Sequence, residues 1–255
     1  MFTHFIPMQL LSFSKGNAKL SKRLIFSLPA GYTCRQAGVC KTFANRITGK
    51  IVDRPDLLSS INPEYRCFAA MAETRPAVRD SRWGNWCALK NAMYTGHDPV
   101  ASMALLIKLS LASAPKLDLV RIHESGDFWC PQYFLAWLQV ARSFPAMKFY
   151  AYTKELQLWL DYYDEVPDNF YLTASAGGKL DYLIEPNKDK FKRIAYVVYT
   201  EQEAADRGLD IDHDDSHCFG DKPFALLLHG VQRKGTDASK ALSQRKKAGT
   251  WTGYK

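Results

Sequence analysis

The sequence predicts an α/β fold, a partial or complete (β/α) barrel of the TIM type with a helical insertion after the first strand. The first observation is a set of runs of strand length, rich in β-branched and aromatic residues, at 24–28, 117–123, 148–153, 169–175, 194–200 and 224–230. Several of them are apolar almost throughout, as in strands covered on both faces. The second observation is that helical patterns lie between these runs, and this alternation favours a parallel sheet or barrel.

Two of the intervening segments have clear helical signals. The segment 131–144 places Phe134, Leu138 and Ala141 on one face, and Pro131 takes a first-turn position. Thr200, followed by EQEAADRG, predicts a capped helix that ends at Gly208.

The segment from about 76 to 115 departs from the alternation. It contains two helical stretches separated by a glycine-histidine break, Gly96 and His97. No internal repeat or clear linker follows. We therefore predict one barrel-like domain over 1–230, with this helical insertion, and a basic C-terminal tail over 231–255.

Composition and charge narrow the class of partner. The chain has 255 residues, 47% hydrophobic and enough for a substantial core, and a net charge of +8. Residues 231–255 carry seven basic side chains and one acid. Such a bias favours a polyanion such as nucleic acid, although the tail is equally well explained as a solvated, half-ordered end. No apolar run reaches the ~18 residues of a membrane span, and the first residues lack a signal-peptide pattern, so we expect a cytoplasmic protein without a membrane partner.

Polar residues cluster directly after the predicted strands. In parallel α/β folds the ligand lies beyond the carboxyl ends of the strands, so we expect these residues to converge in one cleft. They are Cys34 and Cys40 after the first strand, His123, Glu124, Ser125, Gly126 and Asp127 after the second, Thr153 and Lys154 after the third, and Thr173, Ser175, Gly177, Gly178 and Lys179 after the fourth.

The cysteines point to a metal. In a reducing cytosol, thiols are more often buried, metal-bound or reactive than paired in disulfides. Cys34 and Cys40 share one loop, and Cys67 can return as a third thiolate. Three thiolates leave one coordination position open, which favours chemistry over scaffolding. We predict an iron-sulfur cluster on these cysteines; zinc, with a histidine such as His123 added, and thiols without a ligand are the alternatives.

Two further features have ordinary structural explanations. The acidic and histidine-rich segment DIDHDDSHCF (210–219) looks like a metal loop, but we predict a solvated turn. Four tryptophans, at 83, 86, 129 and 251, are candidates for stacking on bases, although such residues are more often core or helix-packing residues.

Six stretches, SLPAGYTCRQAGVCKTFANR, RCFAAMAE, RIHESGDFW, FYAYTK, NFYLTASAGGK and ALLLHG, resemble the phage family called gene product 88, carried by phages and other mobile elements. The resemblance covers nearly the whole chain in order. It implies a mobile-element protein and brings no established activity with it.

A second resemblance is to radical-SAM enzymes. These carry three cluster cysteines on the loop after the first barrel strand and a Gly-Gly-Glu-Pro turn after the second. Here SLPAGYTCRQAGVC is similar to the first feature, although the usual C-x3-C-x2-C spacing is absent, and Ser125, Gly126 and Asp127 stand where Gly-Gly-Glu would be. The resemblance implies S-adenosylmethionine (SAM) as cofactor, contacted by these three residues and by the strand ends at Thr153 and Ser175, with Glu124, Asp127 and Lys154 as catalytic candidates.

A third resemblance is to guanine transglycosylases, because HESGDF is similar to their Asp-Ser-Gly-Gly-Phe base-binding turn. It implies base exchange with Asp127 or Glu124 as nucleophile or general base, together with structural zinc. In those barrels the zinc cysteines come late in the chain, whereas here the cysteines come first.

Three hypotheses therefore remain. The first is an iron-sulfur, radical-SAM-like enzyme acting on nucleic acid or nucleotides. The second is a transglycosylase-like enzyme with structural zinc. The third is a nucleic-acid-binding accessory protein without activity, in which the thiols are structural and the basic tail supplies affinity.

Overall fold

A six-stranded parallel sheet is the frame of the computed structural model, which describes residues 9–16, 20, 22–53 and 64–250. The strands are β1 (Leu24–Phe26), β2 (Thr42–Ala44), β3 (Ile51–Asp53), β4 (Leu119–Ile122), β5 (Lys148–Thr153), β6 (Phe170–Ser175), β7 (Ile194–Val198) and β8 (Phe224–Leu227). The α-helices are α1 (Phe68–Ala72), α2 (Pro76–Thr95), α3 (Pro99–Ala112), α4 (Pro131–Ser143), α5 (Leu156–Asp161), α6 (Glu201–Asp206) and α7 (Asp237–Lys247). Short 3-10 turns cover Tyr163–Glu165, Asp181–Leu183, Glu185–Asn187 and Ser216–Phe219.

The order of the sheet is β1-β4-β5-β6-β7-β8, and every neighbouring pair is parallel. Each strand therefore lies beside the next sheet strand along the chain. This singly wound order is that of a (β/α) barrel, whereas a doubly wound sheet reverses its order at a switch point. The six predicted strands and the α/β class are confirmed. Among the described residues no ladder joins β8 to β1, so closure of the barrel stays a prediction.

One face of the sheet carries the main hydrophobic core. This face carries Phe26 of β1, Phe149 of β5 and Phe170 of β6. All three side chains are buried in the same core as Trp137 of α4. The centroids of the Phe26 and Trp137 rings lie 5.5 Å apart in an edge-on arrangement. Helices α3 and α4 pack on this core, as expected for crossover helices of parallel strands.

The two insertion helices are confirmed between the first and second strands of the sheet. Pro76 and Pro99 occupy the first turns of α2 and α3, where the missing N–H costs nothing. The Asp98 side chain caps α3 by accepting from Val100 N at 2.8 Å. The antiparallel hairpin β2–β3 and the short helix α1, which precede these helices, were not predicted.

The opposite face of the sheet is covered by the segment 210–219. Asp215 is completely buried and accepts hydrogen bonds from Arg121 Nη1 at 2.5 Å and from the Tyr150 hydroxyl at 2.9 Å. Cys218 is also fully buried, in a cluster with Tyr150. The prediction of a solvated turn is therefore wrong for Asp212, Asp215 and Cys218, which are buried, whereas Asp210, His213, Asp214 and Ser216 are exposed. The physical reason is that Arg121, on a central strand, needs a buried counter-charge.

The basic tail is helical over much of its length. In α7, Ala238, Ala241 and Arg245 are buried, and Arg245 Nη1 donates to the backbone oxygen of Leu228 at 2.8 Å. This hydrogen bond fixes α7 beside the end of β8, so this part of the tail is a packed helix. Trp251 lies outside the described residues.

None of the helices in the described ranges is both long enough and apolar enough to cross a membrane.

Candidate functional site

The carboxyl ends of β4 and β5 are joined by Asp127. Its Oδ1 accepts from the Thr153 hydroxyl at 2.6 Å and from Phe128 N at 2.8 Å, and its Oδ2 accepts from Lys154 N at 2.9 Å. Burial raises the pKa of this carboxyl, and the hydrogen bonds from Thr153 and Lys154 oppose the rise. Asp127 thus fixes two strand ends relative to each other.

Lys154 continues the connection to β6. Its Nζ donates to the backbone oxygen of Ser175 at 2.8 Å, to the Ser175 hydroxyl at 3.1 Å and to the backbone oxygen of Ala176 at 2.5 Å. An ammonium group has three N–H donors, and here each has an acceptor. The structure therefore brings Asp127, Thr153, Lys154 and Ser175 into one hydrogen-bonded group at the carboxyl edge of the sheet.

The cysteine loop docks on this edge. Val39 N donates to Gly177 O at 3.1 Å, and Lys179 N donates to Gln36 O at 2.9 Å. The contact is close at Gly38, where an added Cβ would lie 2.7 Å from Gly177 O. Glycine at position 38 is thus explained by the close backbone approach between the two loops.

An ion pair ties the same loop to the end of β5. Arg35 Nη2 lies 2.9 Å from Glu155 Oε2, and the Glu155 side chain is only 2% exposed. Burial and the nearby Asp127 raise the pKa of Glu155 to about 7, although the hydrogen bond from Arg35 acts in the opposite direction.

The loop brings the three predicted thiols into mutual electrostatic contact. All three are partly buried. Burial, Asp127, Cys67 and, more weakly, Cys40 raise the pKa of Cys34 well above its ordinary value. Burial and Cys40 raise the pKa of Cys67 to about 11, opposed by backbone hydrogen bonds from Ala70 and Ala69. As bare thiols, Cys34 and Cys67 hold their protons at neutral pH.

The arrangement of the thiols distinguishes two kinds of metal site. Within the described part of the chain, no three His, Cys, Asp or Glu side chains are placed to share one metal ion. Two thiolates on a single zinc ion lie at most about 4.6 Å apart, because each Zn–S bond is about 2.3 Å. In an iron-sulfur cluster the thiolates bind different irons and stand farther apart. Soft thiolate donors suit zinc and iron-sulfur clusters alike, so the donor set alone does not select between them.

His123, the histidine considered for a zinc site, belongs to the aromatic core. Its Nε2 lies 2.9 Å from the Tyr133 hydroxyl, and its ring centroid lies 4.7 Å from that of Phe128. Burial and the Arg121 charge lower the pKa of His123 to about 3, so the ring is neutral. Its backbone is left-handed, with φ of 67°.

Glu73, a buried carboxylate that the sequence did not predict, supports the turn after β4. Glu73 Oε1 accepts from Ala30 N at 2.8 Å, from Arg82 Nη1 at 2.9 Å and from the Ser125 hydroxyl at 3.3 Å. Arg82 Nη2 also lies 3.6 Å from Glu124 Oε2. Burial raises the pKa of Glu73. The only sequence signal was its place at the end of the RCFAAMAE motif.

Gly126 completes the turn after β4. Its φ of +91° is unfavourable for other residues, and an added Cβ would lie 2.7 Å from both Leu28 Cβ and Thr33 Oγ1. Leu28 N also donates to Ser125 O at 2.8 Å. The Ser125–Asp127 turn and the cysteine loop are therefore packed directly against each other.

A cleft of about 380 Å³ opens beside Cys34. It is lined by Gly31, Tyr32, Cys34, Arg35, Lys41 and Phe43. The lining comes from the cysteine loop and β2, so the unpredicted hairpin forms one wall. The lining contains two cationic side chains and no acid.

Comparison with known proteins places the chain in a phage family. The chain is 34% identical over 138 residues to the Gene 88 protein of Mycobacterium phage L5, covering 52% of this chain and 57% of that protein. It is 39% identical over 92 residues to the Gene 88 protein of Mycobacterium phage D29, covering 34% of this chain and 38% of that protein. The matches thus span little more than half of these relatives at most. No solved structure matches.

A family model described as Gene product 88 matches residues 11–250, which include every strand, the cysteine loop and α7. The family resemblance seen in the sequence motifs is confirmed. The chain belongs to the Gene product 88 family.

Proposed function

We propose that this protein is a metal-dependent enzyme of the radical-SAM type that holds an iron-sulfur cluster on Cys34, Cys40 and Cys67 and acts on nucleic acid or nucleotides. One observation carries the proposal. Cys34 and Cys40 lie on a loop docked on the carboxyl edge of a singly wound parallel sheet, and Cys67, just before α1, is close enough to raise the pKa of Cys34. This edge is the ligand-binding end of parallel α/β folds.

The surroundings of Cys67 act in both directions on metal binding. Its pKa of about 11 means that a metal must displace a tightly held proton at neutral pH, which costs binding free energy. Backbone N–H groups of Ala69 and Ala70, and the charge of Arg82, stabilise the Cys67 thiolate. A four-iron cluster held by Cys34, Cys40 and Cys67 would have one iron without a protein ligand, and when bound and reduced it would supply an electron for cleavage of SAM.

The hydrogen-bonding pattern assigns roles to the predicted site residues. Asp127 and Lys154 use their polar atoms on backbone and side-chain partners, so we give them positioning roles. Glu124 is 27% exposed at its side chain and remains the candidate acid or base. Of the predicted cofactor-binding residues, Gly126 and Ser175 are partly exposed and would contact a small cofactor directly, whereas Ser125 and Thr153 are buried and would support that contact.

The substrate class rests on charge. The net charge of +8 favours a polyanion, and the cleft beside Cys34 is lined by Lys41 and by Arg35, which is also paired with Glu155. A nucleotide or a nucleic acid strand is the polyanion that this combination fits best.

The test is metal and acid-labile sulfide analysis, with an absorption spectrum, on protein purified without oxygen. We expect brown protein with about four irons and four sulfides. Alanine substitution at Cys34, Cys40 or Cys67 should each abolish iron loading. Cys87→Ala is the matched control, because Cys87 is an exposed free thiol on α2.

Other outcomes select among the remaining hypotheses. Full iron content in all three variants would overturn the ligand assignment. Colourless protein with one zinc would favour the transglycosylase-like alternative, and protein without metal would favour the accessory-protein alternative. With a loaded cluster, reductant-dependent cleavage of SAM is the next measurement.

A further inference from the structure

We propose that single-stranded nucleic acid binds along a row of four aromatic rings that begins at the cleft beside Cys34. This aromatic row consists of Phe43, Tyr32, Trp83 and Trp86. The inference rests on the proposed function for its substrate class and deepens it, because it assigns the contact surface and the form of the strand.

The rings of the aromatic row follow each other at contact distance. Ring centroids lie 4.9 Å apart for Phe43 and Tyr32, 4.8 Å for Tyr32 and Trp83, and 5.1 Å for Trp83 and Trp86. The row therefore runs from β2, across the cysteine loop, along α2. Tyr32 is 36% exposed, a large fraction for an aromatic ring that also lines a cleft. Phe43, Trp83 and Trp86 are half-buried, so Tyr32 is the ring of the row most open to stacking on an unpaired base.

Cationic groups accompany the aromatic row. The Arg46 guanidinium lies 4.5 Å from the Trp83 ring centroid, and Lys90 Nζ lies 5.0 Å from that of Trp86. Lys41 lines the cleft itself. In the ranges that the structure describes, none of these three forms an ion pair with a carboxylate. The charges of Arg46 and Lys90, placed by rings, and that of Lys41, in the cleft lining, are thus left available to phosphates.

The combination of aromatic rings and flanking cations favours a single strand over a duplex. In a duplex the bases are paired and stacked on each other, so their faces cannot reach a protein ring without unstacking. Along a single strand, bases meet the rings while phosphates meet the flanking cations. The cleft at the start of the row has the size of a small-molecule site, about 380 Å³, and leads to Cys34. A strand on the row would therefore present one nucleotide beside the proposed cluster.

The test is fluorescence anisotropy with a labelled mixed-sequence 12-nucleotide DNA, the same strand in a duplex, and an RNA of the same sequence, over a series of salt concentrations. We expect tighter binding of the single strands than of the duplex. Tyr32→Ala should weaken single-strand binding between about 5-fold and 100-fold, because one stacking platform is lost. In the Lys41→Ala/Arg46→Ala variant the slope of log K against log salt should fall by about 1.4, the value for two lost phosphate contacts on a single strand.

Two comparison variants make the result specific. Lys116→Ala removes one exposed charge just before β4, at the opposite edge of the sheet, and should leave affinity within about twofold of the parent. Lys246→Ala/Lys247→Ala tests α7, the other basic region. Circular dichroism confirms that each variant is folded.

Three results would overturn the inference: equal losses in the Lys116 and the Lys41/Arg46 variants, a loss confined to the α7 variant, or duplex binding as tight as single-strand binding. Iron and sulfide content, measured on the same preparations, separates this inference from the proposed function. Metal-free protein whose single-strand binding depends on the aromatic row would overturn the proposed function and support the inference. A loaded cluster, together with unchanged single-strand binding in the variants of the aromatic row, would support the proposed function and overturn the inference.

Discussion

The carboxylate of Asp127 and the hydroxyl of Thr153 lie 2.6 Å apart, and this hydrogen bond joins the loop after β4 to the end of β5. The same carboxylate accepts the backbone N–H of Lys154 through its other oxygen at 2.9 Å. The buried side chain of Asp127 thus fixes the end of β5. From there the Lys154 side chain reaches β6. The geometry of the whole carboxyl edge depends on an acceptor with two oxygens at position 127.

We expect Asp127→Asn to destabilise the protein by about 1–3 kcal/mol, because the new amide nitrogen faces an N–H donor that is left buried without an acceptor. Urea unfolding at neutral pH measures the change. Asp161→Asn is the control, since Asp161 is exposed and bonded only to Gln157, on the surface of α5. Equal stability of the two variants would contradict the role of Asp127.

Gly126 gives a second prediction on the same turn. Alanine there adds a Cβ in a left-handed conformation, which costs about 1–2 kcal/mol, and places it 2.7 Å from Leu28 and Thr33 side-chain atoms. Gly208 has a φ of +64° and no atom within 4 Å of an added Cβ, so Gly208→Ala pays the conformational cost alone. We expect Gly126→Ala to be less stable than Gly208→Ala by about 1–3 kcal/mol in thermal or urea unfolding, because overpacking adds that much. A smaller loss at Gly126 would show that the two loops separate easily.

The third prediction concerns the buried ion pair of Arg121 and Asp215. Asp215→Ala leaves an unpaired guanidinium under the sheet and should cost about 3–5 kcal/mol of unfolding free energy. Lys240→Ala breaks an ion pair that is mostly exposed on both sides and should cost less than about 1 kcal/mol. Adding Arg121→Met to Asp215→Ala should recover part of the loss, since the stranded charge is then gone. No recovery would assign the cost to packing instead of charge.

Local patterns predicted the parts of the fold that are locally determined. The six sheet strands are apolar runs, and α4 and α6 have end signals within their own sequences, such as Pro131 and Thr200. The hairpin β2–β3 has strands of three residues each, too short for a period of two to be recognised. That omission mattered for function, because β2 contributes Phe43 and one wall of the cleft.

Long-range polar partners were the second omission. Glu73 takes hydrogen bonds from residues 43 and 52 positions away, and Asp215 pairs with Arg121 across 94 positions. No local pattern encodes such pairs, so an acidic segment read alone looked like a solvated turn. The convergence of Asp127, Thr153, Lys154 and Ser175 was predicted, because topology alone brings parallel strand ends together. Their functional roles stay predictions.

The last prediction uses the ion pair between Arg35 and Glu155, which anchors the cysteine loop. The pKa of Glu155 is raised to about 7 in the folded protein, against about 4.5 for an unfolded chain. Between these values the folded state keeps a proton that the unfolded state has lost. The contribution of Glu155 to stability is therefore fully present below about pH 4.5 and falls as the pH rises towards 7.

From pH 5 to pH 7.5, this linkage should lower the unfolding free energy of the parent protein by about 2 kcal/mol. Glu155→Gln removes the titrating group and keeps an oxygen for Arg35, so its stability should lack this component. Urea midpoints at the two pH values, compared between parent and variant, isolate the effect, because all other titrating groups are common to both proteins. A parent and a variant with the same pH dependence would mean that Arg35 keeps Glu155 ionised, and that the loop is held by a full ion pair throughout this range.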